Sequence, residues 1–114
     1  MSDPAFEAFE PRVAVASLSG ESDAEWARAA APHVGCAFMG GVALDAATRQ
    51  AARAMVADRD RTEFLPEDPV AFVDDQLAEL ADVPVRGAFN VRTTTLAPLR
   101  RAARGCADRG AVLE

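Results

Sequence analysis

Residues 84–114 read PVRGAFNVRTTTLAPLRRAARGCADRGAVLE and contain three consecutive elements. The apolar run at 85–91 is typical of a buried strand, and residues 96–108 have the spacing of an amphipathic helix. Gly110 is placed to end this helix, and Ala111 begins a second strand. A strand, a crossover helix and another strand form the repeating unit of parallel α/β sheets, so we expect such a sheet here.

Two further apolar runs precede this stretch. Residues 12–17 and 36–39 are each long enough for one buried strand, and Gly40 and Gly41 are expected to end the second. Residues 59–63 read as a charged connector between two helices. The predicted order is therefore β-α-β-α-α-β-α-β without a tight hairpin. We expect an α/β fold with about four parallel strands and crossover helices, which is a partial (β/α)8 TIM barrel.

The helix starts are marked by side chains that accept hydrogen bonds from free backbone amides. Ser22 and Glu25 match a capping box at the start of the first helix. Asp45, Asp68 and Thr95 are the predicted caps of the three helices that follow.

Composition narrows the class of protein. We place one domain at residues 12–114, the N-terminal portion of a TIM barrel, after an acidic N-terminal lead-in at residues 1–11. The net charge of -6 argues against tight nonspecific binding of nucleic acid. The lead-in lacks the basic and apolar regions of a signal peptide, and no apolar run approaches the ~20 residues of a membrane span. We expect an acidic cytoplasmic protein that makes no membrane contact.

Cys36 and Cys106 are the two cysteines of the chain. They lie far apart, and the chain has one histidine, which argues against a zinc site. Both are expected to be small buried hydrophobic residues.

Candidate site residues lie at the predicted carboxyl ends of the strands, where α/β folds place their chemistry. Ser17 and Leu18 follow the first strand, and their backbone groups would face a ligand there. The carboxamide of Asn90 can donate and accept, which suits the edge of a flavin or pyrimidine ring. Arg92 is expected on the same side and can meet a phosphate or a carboxylate. The alternative is that these residues form ordinary turns and caps.

Three segments resemble the tRNA-dihydrouridine synthases. ASLSGESDAEW at 16–26 is similar to the family's opening segment A-P-M-A-G-V-T-D-x-x-F. FNVRTTTLAPLRRAA at 89–103 is similar to its strand-3 segment Q-x-x-G-x-x-P-x-x-x-x-x-A-A, and ADRGAVLE at 107–114 to A-x-x-G-A-x-x-I-D. The segments occur in the family's order over nearly the whole chain. We expect the relatives of this chain to be archaeal proteins of this superfamily, of the dihydrouridine-synthase-like or dihydropyrimidine-dehydrogenase-like type.

The resemblance implies the N-terminal part of an FMN-dependent TIM-barrel oxidoreductase that acts on a pyrimidine ring, in tRNA processing for the synthases themselves. It implies that the backbone of Ser17 and Leu18 lies against the flavin, and that Asn90 contacts the flavin in place of the family's Gln. Arg92 is then the candidate substrate-binding residue. A Ser at position 17 and a Leu at position 18 depart from the family's Pro and Met.

The resemblance also implies what this chain does not supply. The family's catalytic Cys would follow Glu114, and its catalytic Lys and phosphate-binding loops come later, while this chain contains no Lys. We therefore expect the chain to be inactive alone, with tRNA or a free pyrimidine as the partner of a full-length protein and self-association of the partial barrel. The open alternatives are a non-enzymatic small α/β domain and a barrel enzyme of another cofactor class.

Overall fold

The computed structural model describes residues 9–114, so most of the proposed lead-in lies outside the described residues. The elements follow the predicted order. The strands and helices are β1 (Ala14–Val15), α1 (Ala24–Ala30), β2 (Cys36–Ala43), α2 (Ala46–Arg59), α3 (Pro69–Ala78), β3 (Arg86–Arg92), α4 (Leu96–Asp108) and β4 (Val112–Leu113).

All four strands are parallel and lie side by side in the order β1-β2-β3-β4. Each connection is therefore a crossover to the adjacent strand, and right-handed crossovers in one direction place the helices on one face of the sheet. The prediction of an α/β fold with four parallel strands is confirmed. The same order of neighbouring strands is found in the front half of a (β/α)8 barrel.

The two faces of the sheet have different surroundings. On the helix side, Met39 and Phe89 are opposite each other in register and are fully buried, in one cluster with Val73 and Leu77 of α3. Side chains alternate along a strand, so the other face carries a different set of residues. We call this the second face; in β2 and β3 it consists of Cys36, Phe38, Gly40, Ala43, Arg86, Ala88, Asn90 and Arg92.

Two strand predictions need correction. β1 pairs over only two residues, although 12–17 was expected to be a strand. β2 does not end at Gly40 but continues to Ala43. The reason is the neighbouring strand: Gly40 lies opposite Asn90, and a Cβ on Gly40 would lie 2.5 Å from the Asn90 carbonyl oxygen. Residues without a Cβ allow this approach, and a β-bulge between Gly40 and Val42 accommodates the extra residue.

The predicted caps are confirmed at two helices and wrong at one. Asp45 accepts from the Thr48 amide at 3.0 Å, and Asp68 caps α3. The first helix is capped by Asp23, which accepts from the Trp26 amide at 3.0 Å, and not by Ser22. Ser22 is buried, and its hydroxyl forms hydrogen bonds with the backbone of Leu18 and Gly40 instead.

The last helix begins and ends close to the predicted residues. Thr95 occupies the N-cap position of α4, but its side chain makes no capping hydrogen bond. Gly110 has a φ of +64° just after the helix, the left-handed conformation predicted for a helix-ending glycine.

Candidate functional site at the carboxyl edge of the sheet

The loop after β1 is fastened to β2 by one buried hydroxyl. Ser22 has no exposed surface, and its Oγ accepts from the Leu18 amide at 2.8 Å and donates to the Gly40 carbonyl at 2.7 Å. The Gly40 amide in turn donates to the Ser22 carbonyl at 3.0 Å. The backbone of Leu18 is therefore held at the carboxyl end of the sheet, next to β2, while its side chain remains 50% exposed.

Asn90 lies at the same end, opposite Gly40 in the β2–β3 register. Its Nδ2 donates to a carboxylate oxygen of Glu114, and the Glu114 amide donates to the Phe89 carbonyl at 2.9 Å beyond the end of β4. A Cβ on Gly41 would collide with the Asn90 Oδ1. The Asn90 carboxamide therefore lies directly against the backbone of Gly41, while Gly40 faces the Asn90 backbone carbonyl.

The structure brings three of the four predicted site residues to the carboxyl edge of the sheet, and two of them are linked through Gly40. Leu18 reaches Gly40 through Ser22, and Asn90 reaches it by strand pairing. Ser17 precedes Leu18 in the same loop and lines an open groove with it. Parallel pairing and this shared edge agree with the predicted placement of the loop and the carboxamide.

The fourth predicted residue, Arg92, lies two residues beyond Asn90 on the second face. Its Nη2 is 2.9 Å from Oε2 of Glu63, a hydrogen-bonded ion pair. The Glu63 side chain is only 4% exposed, whereas that of Arg92 is 44% exposed. The carboxylate that Arg92 meets in this structure thus belongs to the chain itself.

Glu63 is the residue of this site that the sequence did not reveal. It lies in the connector at 59–63, where it is one charge among several and has no local signal that separates it from its neighbours. Phe64 forms a parallel bridge with Val42, and the Thr62 hydroxyl donates to the Ser19 carbonyl at 3.0 Å. The connector therefore forms a wall of the carboxyl edge.

The loop after β3 is fastened by Asp45. Its Oδ2 accepts from the amide and the hydroxyl of Thr94 and, at 3.2 Å, from the hydroxyl of Thr93. Hydrogen bonds from Thr48 and then from Thr94 hold the pKa of the Asp45 carboxyl far below its ordinary value. The ionised carboxylate thus joins the start of α2 to the loop that follows Arg92.

The two thiols are not part of this edge. Cys36 and Cys106 are free and buried, as predicted, and burial raises the pKa of each thiol. A protonated, buried thiol is neither a nucleophile nor an efficient acid at neutral pH.

The edge can hold a planar ring better than it can hold a phosphate. Leu18 offers apolar surface, and Asn90 offers a carboxamide that lies against the backbone of Gly41. The cation on the second face at this end, Arg92, is already paired with a carboxylate. The donor set thus fits the edge of a flavin or pyrimidine ring and does not fit the phosphate of FMN.

Comparisons with models of known families, with curated proteins and with solved structures found no match to this chain. The resemblance to the dihydrouridine synthases remains a prediction from the three segments. Across the part of the chain that the structure describes, every helix is too short or too polar to cross a membrane.

Proposed function

We propose that this chain forms the first four strands, with their crossover helices, of an FMN-dependent barrel oxidoreductase of the dihydrouridine-synthase-like type, and that its carboxyl edge contacts the flavin ring. The observation that supports this proposal best is the attachment of Leu18 and Asn90 to the same residue, Gly40. A flavin ring needs both an apolar surface and a hydrogen-bonding edge, and these two residues supply them on either side of Gly40.

Each residue has a distinct part in the proposal. The backbone of Ser17 and Leu18 lies against the ring, and the carboxamide of Asn90 exchanges its bond to Glu114 for a bond to the ring edge. Arg92 lies toward the substrate, which is a pyrimidine ring in tRNA or a free pyrimidine. When bound, the flavin supplies the hydride chemistry.

The proposal assigns the remaining chemistry to residues outside this chain. The chain contains no Lys, and its two thiols are buried, so neither a catalytic Cys nor a catalytic Lys is offered at this edge. We propose that the chain alone is inactive, that the FMN phosphate is held elsewhere, and that the protein acts in the cytoplasm.

Titration with riboflavin and with FMN tests the proposal. We expect both to bind with similar affinity, detected by quenching of flavin fluorescence, because the edge contacts the ring and not the phosphate. Asn90→Ala should weaken riboflavin binding by about three- to tenfold, the value of one hydrogen bond. Gln50→Ala removes an exposed carboxamide on α2 and is the matched control. Absence of flavin binding by the wild-type chain would refute the proposal.

A second function is favoured by one observation. Asn90 and Arg92 already have carboxylate partners, Glu114 and Glu63, so the edge is satisfied without a ligand. A non-enzymatic α/β domain whose edge strands β1 and β4 pair with a second copy would look the same. Sedimentation distinguishes the two: a dimer that binds no flavin favours this second function.

A further inference from the structure

The buried carboxylate of Glu63 is paired with Arg92, the predicted substrate-binding residue. The Glu63 side chain is 4% exposed, and its Oε2 accepts a hydrogen bond from Arg92 Nη2 at 2.9 Å. A buried charge is costly unless it is paired, so this carboxylate is held in place by Arg92 as much as it holds Arg92.

The position of Glu63 is fixed by its neighbours and not by the ion pair alone. Thr62, one residue before it, donates to the Ser19 carbonyl, and a Cβ on Gly20 would lie 2.6 Å from the Thr62 carbonyl carbon. Phe64, one residue after it, bridges to Val42. The connector is thus packed between the β1 loop and the end of β2, and Glu63 is directed inward.

The pairing changes what the edge can bind. A phosphate or a carboxylate needs a cation or several free N–H donors. At this end of the sheet Arg92 supplies one positive charge, while Glu63, its partner, and Glu114, the partner of Asn90, supply two negative charges. An incoming anion would meet a net negative edge, whereas an uncharged heterocycle would meet alternating donors and acceptors.

We propose that Glu63 is a specificity-determining residue, which pairs with Arg92 so that the carboxyl edge accepts an uncharged ring and rejects the anionic part of a ligand. This inference rests on the proposed function for the identity of the ring. The rejection of anions does not depend on flavin and can be measured separately.

Inorganic phosphate is the probe. Its binding is followed through the backbone amide resonances of Asn90 and Arg92 in 15N-labelled protein. We expect no specific phosphate-dependent shift in the wild type, and a saturable shift in Glu63→Gln, with affinity higher by on the order of tenfold. Gln keeps the size of Glu63 and one acceptor oxygen for Arg92, and replaces the other carboxylate oxygen with an uncharged NH2 group.

Three further variants separate this effect from a general change of charge or fold. Glu67→Gln removes an exposed charge four residues along the same segment and should leave phosphate binding at the wild-type level. Glu63→Asp keeps the charge and should also resemble the wild type. The double variant Glu63→Gln, Arg92→Gln should lose the binding that the single variant gains.

Two results would overturn the inference. One is saturable phosphate binding at Arg92 in the wild type, a measurement that does not require any variant to fold. The other is a folded Glu63→Gln variant whose phosphate affinity equals that of Glu67→Gln. If riboflavin fails to bind the wild type while Glu63→Gln gains phosphate, the proposed function fails and the role of Glu63 stands.

Discussion

The carboxylate of Asp45 accepts from both the backbone amide and the hydroxyl of Thr94, at 2.6 Å and 2.5 Å, across 49 positions of sequence. The same carboxyl group caps α2 through Thr48. One side chain therefore fixes the start of a helix and the loop that follows the candidate substrate-binding residue, Arg92.

Asp45→Asn separates these two roles. Asparagine caps helices as well as aspartate does, so α2 keeps its cap, but an amide nitrogen would replace the oxygen that faces the Thr94 donors. We expect a lower melting temperature by circular dichroism. Asp68→Asn is the control, because Asp68 caps α3 through the Ala71 amide at 3.1 Å and Asn can do the same. Equal melting temperatures for the two variants would argue against the loop attachment.

The contribution of Asp45 depends on pH. The lowered pKa of its carboxyl means that it stabilises the fold above its ordinary pKa of 3.8 and loses this contribution as the pH falls toward the folded-state value. The difference in melting temperature between the wild type and Asp45→Asn should be constant near neutral pH and shrink below pH 3.8. Thermal melts over a pH series measure it, and a difference that stays constant in acid would contradict the assignment.

Ser22→Ala tests the attachment of the β1 loop. The variant leaves the Leu18 amide and the Gly40 carbonyl without their shared partner, so we expect a loss of about 1–3 kcal/mol in the free energy of unfolding. Urea denaturation measures this loss. Ser19→Ala, at an exposed serine of the same loop, should change stability by less than about 0.5 kcal/mol. If Ser22→Ala lowers the free energy of unfolding no more than Ser19→Ala does, the Ser22 hydroxyl does not stabilise the attachment of the loop.

Gly41→Ala tests the close approach of Asn90. The added Cβ would collide with Asn90 Oδ1, so the variant should be less stable and the Asn90 side-chain amide resonance should move. Gly105→Ala is the opposite case: in α4 its Cβ would lie 3.5 Å from Asp74 Oδ1, an ordinary contact. There the gain in helix propensity should stabilise the protein by about 0.5–1 kcal/mol. The same direction of change in both variants would contradict this geometry.

The order of the elements was predictable because each depends on local pattern. The apolar run that became β3 and the caps at Asp45 and Asp68 carry their information within a few residues. Ser22 was assigned wrongly because its pattern suits two structures, a capping box and a loop anchor. The contact with Gly40, 18 positions away, decided between them.

Two features of the site depend on contacts that are distant in sequence. Gly40 and Gly41 look like the end of a strand, yet pairing with β3 carries β2 past them. Glu63 is one charge in a run of charges, and only its position opposite Arg92, 29 positions later, separates it from the others. These contacts follow from tertiary packing, and no pattern in the neighbouring sequence predicts them.

The bulge in β2 shifts by one residue the alternation of side chains between the two faces of the sheet. Val42, and not Gly41, stands opposite Val91, so the alternation of sides restarts after the extra glycine. With the same sequence and no bulge, a regular ladder would place Gly41 opposite Val91, exchange the faces of Val42 and Ala43, and move Asp45 one residue along β3 relative to Thr94. The relative position of Asp45 and the loop that contains Thr94 therefore depends on one extra residue, Gly41, which has no side chain.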